Sequence, residues 1–315
     1  MHFLLTLVLI VLVALAVLAL FTAFVARKVT QAFPPSGQFV EVDGERVHYR
    51  SLGEGPPLVL VHGLGGQMRN FAYLPLEELA QRWRLILIDR PGAGLSQRRD
   101  AGGAGIAAQG RLVAHFIRQL ALPQPPLLVG HSLGGAIALS TALQDPLGIA
   151  GLALIAPLTH YVADVPAPFR ALAIRTPWLR KLIGHTLAVP LAILHSRKTL
   201  AFIFGPEPAP ADFPVRGGGL LGLRPSAFAA SSEDMVAVEQ DLPQQEQRYG
   251  ELLLPVRMLY GEGDQVLDWR VQGEALKARI PQLQLTVVPG GHMLPVTQAA
   301  GTAAWLEDAA RAMLR

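Results

Sequence analysis

The 315-residue sequence contains no cysteine. That excludes disulfides, thiolate catalysis and cysteine-ligated zinc, and it leaves the redox compartment open. Charge is also sparse: Asp, Glu, Lys and Arg make up 16% of the chain, with a net charge of +3. There is no long Lys/Arg run and no aromatic-basic module, so nucleic acid is not an expected partner. No His/Asp/Glu cluster has ligand spacing, so neither a metal nor another cofactor is expected. No repeat at a fixed period is visible, and nothing in the pattern specifies an oligomeric state.

What the chain has in excess is apolar residues, at 51%. This is enough for a sizeable core and excludes wholesale disorder. The excess is uneven. Residues 3–25 carry no charge, and Thr6 and Thr22 are their only polar members. At about 1.5 Å per residue such a helix crosses roughly 30 Å of hydrocarbon. A cleaved signal peptide is the competing reading. It has a basic start and a shorter apolar stretch, whereas here the Ala14-Leu15-Ala16 triplet that could pass for a cleavage site lies mid-run. Residues 1–30 are therefore expected to be a retained single-pass anchor in the lipid bilayer. Arg27 and Lys28 follow the run, which places the globular part on the cytoplasmic side by the positive-inside rule.

Residues 31–37, QAFPPSG, look like a linker. FVEVDGERVHYRS then alternates in two arms around Asp43-Gly44, as a β-hairpin does. Continuous apolar runs follow at 56–63, 84–92, 125–132 and 151–157, as expected of strands buried on both faces. Helices are expected over 70–82, 107–121 and 134–143. After residue 157 the rhythm breaks into helical patches rich in proline. It returns with a strand at 255–264, a helix near 269–279, a strand at 283–293 and a last helix near 298–314. Strands alternating with helices predict an α/β fold: a mostly parallel sheet with helices on both faces. The break is an insertion between two strands of that sheet, since the two strand–helix units after 250 are too few to build a core alone. The predicted division is an anchor at 1–30, core at 31–157, insertion at 158–250 and core again at 251–315.

Gly130-His131-Ser132-Leu133-Gly134 fits G-x-S-x-G. Placed between a buried strand and a helix, this pattern puts the serine on a strained turn with its Oγ exposed above the sheet. The bland alternative is Ser132 as a helix N-cap. A serine hydroxyl needs a base, and the base needs a group that holds its tautomer. His292 is the candidate base. It follows a β-run and Gly290-Gly291 at the carboxyl end of a strand, where α/β sheets place ligands. Asp264, closing LYGEGD, is the candidate orienting acid; Glu262, Asp268 and Asp164 are its rivals. An oxyanion formed at Ser132 needs donors, and the backbone N–H groups of Leu133 and of Leu64, in the HGLGG loop, are the candidates. His62 is read as scaffold.

These motifs, HGLGG (62–66), DRPGAGLS (89–96), GHSLGG (130–135) and the GEGD…GGH pair (261–292), resemble the α/β-hydrolase superfamily, in its α/β-hydrolase 1 branch with a helical cap. The likeness covers residues 38–157 and 251–314. It implies the α/β-hydrolase fold, with 158–250 as the cap that shapes an acyl pocket. The 89–96 loop is similar to that of epoxide hydrolases and dehalogenases, which use an aspartate nucleophile. Ser132 at that position implies acyl chemistry instead. The implied function is a serine hydrolase, carboxylesterase-like or monoacylglycerol-lipase-like, acting on small-molecule or lipid-like esters with an apolar acyl part. A carbon–carbon bond hydrolase, a perhydrolase, an acyltransferase and a non-catalytic membrane-tethered binding module are the alternatives. Within 165–204 six Lys/Arg and no acidic residue interleave with bulky apolar residues. This suits either an interfacial helix or an ordinary cap with a solvated basic side.

Overall fold

The computed structural model describes residues 1–314. Strands β1 (Gln38–Val42) and β2 (Glu45–Leu52) form the expected hairpin. Its turn residues Asp43 and Gly44 both have positive φ, 53° and 80°, which matches the twist of the flanking strands. The apolar runs become β3 (Pro57–Val61), β4 (Arg84–Ile88), β5 (Leu127–His131), β6 (Gly151–Ile155), β7 (Val256–Gly261) and β8 (Gln284–Val288). All eight strands join one sheet in the order β1-β2-β4-β3-β5-β6-β7-β8. β2 pairs antiparallel with β4, and from β4 to β8 every pairing is parallel.

Period-2 alternation explains why the central strands are apolar throughout. Along β3, Val59 and Val61 enter one core with Ile86, Ile88, Val113 and Phe116. Leu58 and Leu60 enter the other, with Leu85, Leu87, Ala303 and Leu306. Both faces are covered, so no polar side of the strand exists.

The principal helices are α1 (His2–Ala32), α2 (Ile106–Gln119), α3 (Leu133–Gln144), α4 (Pro177–His185), α5 (Ala188–Phe204), α6 (Pro225–Gln245) and α7 (Ala299–Met313). Two expectations need correction. The stretch 70–82 is not one helix: a 3₁₀ turn at Met68–Phe71 and a short helix at Leu76–Leu79 flank Pro75. Proline disfavours helical backbone at the residue before it, which splits the segment. Nor is 31–37 wholly a linker. α1 runs to Ala32, and Phe33 is buried with Val29 and Leu221.

β6 and β7 are adjacent, with Leu152 opposite Val256. The chain between them is mostly helical and lies over the carboxyl ends of the parallel strands. α1 docks on it. Thr22 Oγ1 donates to Thr186 O at 3.1 Å, and Val29 packs with Leu221. The earlier part of α1 is exposed, Leu20 by 72%. Among the described residues α1 is the one helix long and apolar enough to cross a membrane by itself; α4 and α5 pass the same test only as a pair bent by 73°.

Candidate active site

β5 delivers Ser132 to the end of the sheet, and α3 leaves at once. The turn between them forces Ser132 to φ 55°, ψ −123°, a region that costs a residue with a Cβ of order 1–3 kcal/mol. Hydrogen bonds hold it there: Ser132 N–H donates to Ile155 O, and Ser132 O accepts from Gly135 and Leu158 N–H. Ser132 makes no side-chain cap bond, so the N-cap alternative does not describe it. Glycine is required at 134, where a Cβ would stand 2.2 Å from Val61 O; only its absence lets α3 meet β3.

His292 and Asp264 meet from separate loops. His292 Nδ1 lies 2.8 Å from Asp264 Oδ2, and neither side chain is more than 5% exposed. The other oxygen, Asp264 Oδ1, accepts from Val266 and Leu267 N–H at 2.8 and 2.9 Å. The carboxylate is thereby oriented to accept, and Nδ1 is the His292 nitrogen that donates to it. The rivals lie elsewhere. Glu262 is exposed; Asp268 accepts from Arg270 N–H at a helix start; Asp164 pairs with Arg170 in solvent.

Ser132, His292, Leu64 and Leu133 line one cavity of about 330 Å³. No direct Ser132–His292 hydrogen bond is present among the described residues; such contacts often tighten only when substrate binds. The N–H groups of Leu64 and Leu133 donate to no protein acceptor among the described residues. Phe169, Leu200, Ile203, Phe213, Met235 and Val238, all from the chain between β6 and β7, supply apolar walls. A larger cavity of about 680 Å³ lies away from Ser132, beside the 92–99 loop. Its Arg98 is consumed by Glu233 and Asp234, and Glu41 and Glu45 share its lining. It has no nucleophile–base pair.

The loop carrying Leu64 is tied down from behind. His62 Nδ1 donates to Gly63 O and Nε2 accepts from Arg90 N–H, so the ring is neutral. Burial and the neighbouring Arg90 charge hold its pKa well below the ordinary histidine value. Arg90, 1% exposed, donates to His62 O, Gly63 O, Gln109 Oε1 and Asp234 Oδ2. Asp89 accepts from Met68 and Leu95 N–H and bonds His48. The 89–96 motif is therefore scaffold in this chain.

Two supports were not anticipated. His131 Nε2 donates to His292 O at 3.0 Å, with the rings 5.0 Å apart. Burial, then the nearby His292 charge, lowers its pKa to about 3. Its place directly before Ser132 was a usable signal. Glu207 accepts from Gly291 N–H and Gln298 Nε2, steadying the 290–292 loop. It lies in a proline-rich stretch with no periodicity, and nothing local marks it. In the basic segment Arg170, Arg175 and Arg180 are paired with Asp164, Glu239 and Glu233; Arg170 and Arg175 stay exposed, as on the solvated side of an ordinary cap, while Arg180 is buried.

The site thus combines a mostly parallel sheet, a strained serine turn, a buried His292–Asp264 pair and an apolar cavity at the carboxyl edge of the sheet. A family model described as alpha/beta hydrolase fold matches residues 56–299, and the chain belongs to that family. The chain is an α/β-hydrolase with esterase and lipase relatives. It is 38% identical over 118 residues to a pimeloyl-[acyl-carrier protein] methyl ester esterase of Chromobacterium violaceum, covering 38% of this chain and 43% of that one. It is 36% identical over 122 residues to a dihydrolipoyllysine-residue acetyltransferase component of the acetoin cleaving system of Cupriavidus necator, covering 38% of this chain. That match spans about a third of the relative's length, 32%. Among solved structures, a membrane phospholipase A is 26% identical with TM-score 0.66, over 98% of this chain and 99% of that one.

Proposed function

We propose that the chain is a membrane-anchored serine hydrolase that cleaves carboxylic esters with an apolar acyl part through an acyl-enzyme on Ser132. One observation carries the reading: the His292–Asp264 bond stands beside a strained serine in a single apolar cavity. Ser132 Oγ attacks the acyl carbon while His292 Nε2 takes its proton. The oxyanion accepts from Leu64 and Leu133 N–H. His292 returns the proton to the leaving alcohol, and a water, activated the same way, releases the acid. Asp264 keeps the proton on Nδ1 so that Nε2 is the basic nitrogen.

In this reading α1 spans the bilayer once. The likeness to the membrane phospholipase A supports it, since coverage of 98% of the chain takes in α1. α4 and α5, which both pack on α1, expose Trp178 (68%) and Leu194 (73%). The other end of α5, with Leu200 and Ile203, lines the cavity. In this reading an acyl chain reaches Ser132 along α5 from the membrane side. Arg27 and Lys28 favour a cytoplasmic globular part.

A fluorophosphonate probe is expected to label wild-type protein at Ser132 and to leave Ser132→Ala unlabelled. Ser132→Ala is also expected to lose roughly 10⁴-fold in kcat on a p-nitrophenyl ester. Labelling that persists in the variant overturns the assignment.

A further inference from the structure

Where α1 leaves its apolar run, it forms one wall of a cleft of about 480 Å³ with the end of α4 and the start of α6. The cleft shares no lining residue with the Ser132 cavity. Its polar lining is Arg27, Thr30, Gln31, His185, Arg224 and Ser226, and no carboxylate lines it.

The charges in it are not used up. The Arg27 side chain, on the exposed face of α1, has no hydrogen bond or ion pair among the described residues. Arg224 is held by its Nε bond to Leu221 O and its Nη2 bond to Gly94 O, and Nη1 makes no bond. The carboxylate whose charge reaches Arg224 is Asp89. Its oxygens are already occupied by Met68 N–H, Leu95 N–H and His48. On α6, Glu233 and Asp234 are taken by Arg98, Arg180 and Arg90. A cleft with two guanidiniums, an imidazole and hydroxyl and amide donors, and no acid, suits a phosphate.

Its level along α1 fits a particular kind of phosphate. Thr22, inside the apolar run, touches Thr186, the neighbour of His185. Arg27 follows five residues on, about 7.5 Å along the axis. A span ending at Val25 puts Arg27 in the headgroup layer, where basic residues attract anionic lipids.

We infer that this cleft binds the phosphate of an anionic phospholipid headgroup and so fixes how the hydrolase sits against its own anchor. The depth argument rests on the proposed span; it is independent of Ser132 chemistry.

The test uses the full chain in neutral detergent. It is offered equal amounts of phosphatidylglycerol and phosphatidylcholine with matched acyl chains, and retained lipid is read by native mass spectrometry. Matched chains cancel the acyl contribution. Wild type is expected to retain phosphatidylglycerol preferentially. Arg27→Gln should cut that preference roughly fivefold, and R27Q/H185Q should abolish it. Equal retention of both lipids by wild type, or an unchanged preference in R27Q/H185Q, overturns the proposal. Millimolar inorganic phosphate is expected not to displace the lipid; displacement makes this a soluble-phosphate site and overturns the headgroup assignment. Turnover of a short soluble ester should be the same in wild type and R27Q/H185Q. An inactive wild type with intact lipid preference would sink the hydrolase reading alone.

Discussion

At Ser132 the side chain is placed by what its neighbours lack. Gly63 sits opposite it. A Cβ built there meets Ser132 Cβ at 2.8 Å and Oγ at 3.2 Å. The first is closer than real side-chain carbons come and the second is tighter than most, and Ser132 is pinned by three backbone hydrogen bonds, so relieving the clash must displace the serine side chain. Gly63→Ala is expected to lower kcat on a soluble ester by about 100-fold, the usual effect of displacing a reacting group by an ångström or so. Thermal unfolding should show the variant still folded, since the clash is local. Wild-type kcat in Gly63→Ala would mean that Ser132 does not need this position. His131 belongs to the same scale: a neutral donor to His292 O, it ties the serine turn to the histidine loop.

Between elements, polar side chains do what the apolar cores cannot. Arg90 joins the loop after β3, α2 and α6 through His62, Gly63, Gln109 and Asp234. Its removal leaves several buried acceptors bare. Arg90→Met is expected to destabilise the fold by about 3–5 kcal/mol, as breaking a buried ion pair does, and to lower kcat through the loosened Leu64 loop. Arg90→Lys keeps a charge for Asp234 but lacks the forked donors, and should fall between. Urea unfolding of the three proteins measures this; an Arg90→Met variant within about 0.5 kcal/mol of wild type contradicts it, that being the usual limit for substitutions away from such features. The same elements show what the sequence can reveal. Strands β3 to β6 were legible because burial on both faces makes each a nearly continuous apolar run. Ser132, His292 and Asp264 stand out as candidates because each follows a strand and lies within two residues of a glycine. Arg90, Glu207 and Gln109 do not, because their bonds join residues far apart in sequence and leave no local period. The helix limits between β6 and β7 were likewise hidden, since prolines break the pattern and packing on the core decides the boundaries.

For the whole molecule, two fully buried neutral histidines make stability depend on pH. Burial is the main cause of the lowered pKa at both His62 and His131, to about 3 for the latter. In the unfolded chain both return to about 6.5. The unfolded state therefore binds more protons than the folded state below pH 6.5, and stability rises with pH there. The contribution is complete above pH 6.5. It is lost as pH falls from 6.5 toward the folded values, at up to roughly 1.4 kcal/mol per pH unit for each histidine. Urea unfolding of the 31–315 hydrolase fragment between pH 7.5 and 5 should show this acid weakening, provided the fragment reproduces the full chain's turnover of a soluble ester. His131→Gln offers a neutral amide to His292 O and cannot titrate. Its unfolding free energy should fall less steeply with acid than wild type by about one proton's slope, whatever its stability at neutral pH. Parallel curves for the two proteins would mean that His131 takes up its proton in the folded state as readily as in the unfolded one, and that the tie between the serine turn and the histidine loop does not depend on an uncharged ring.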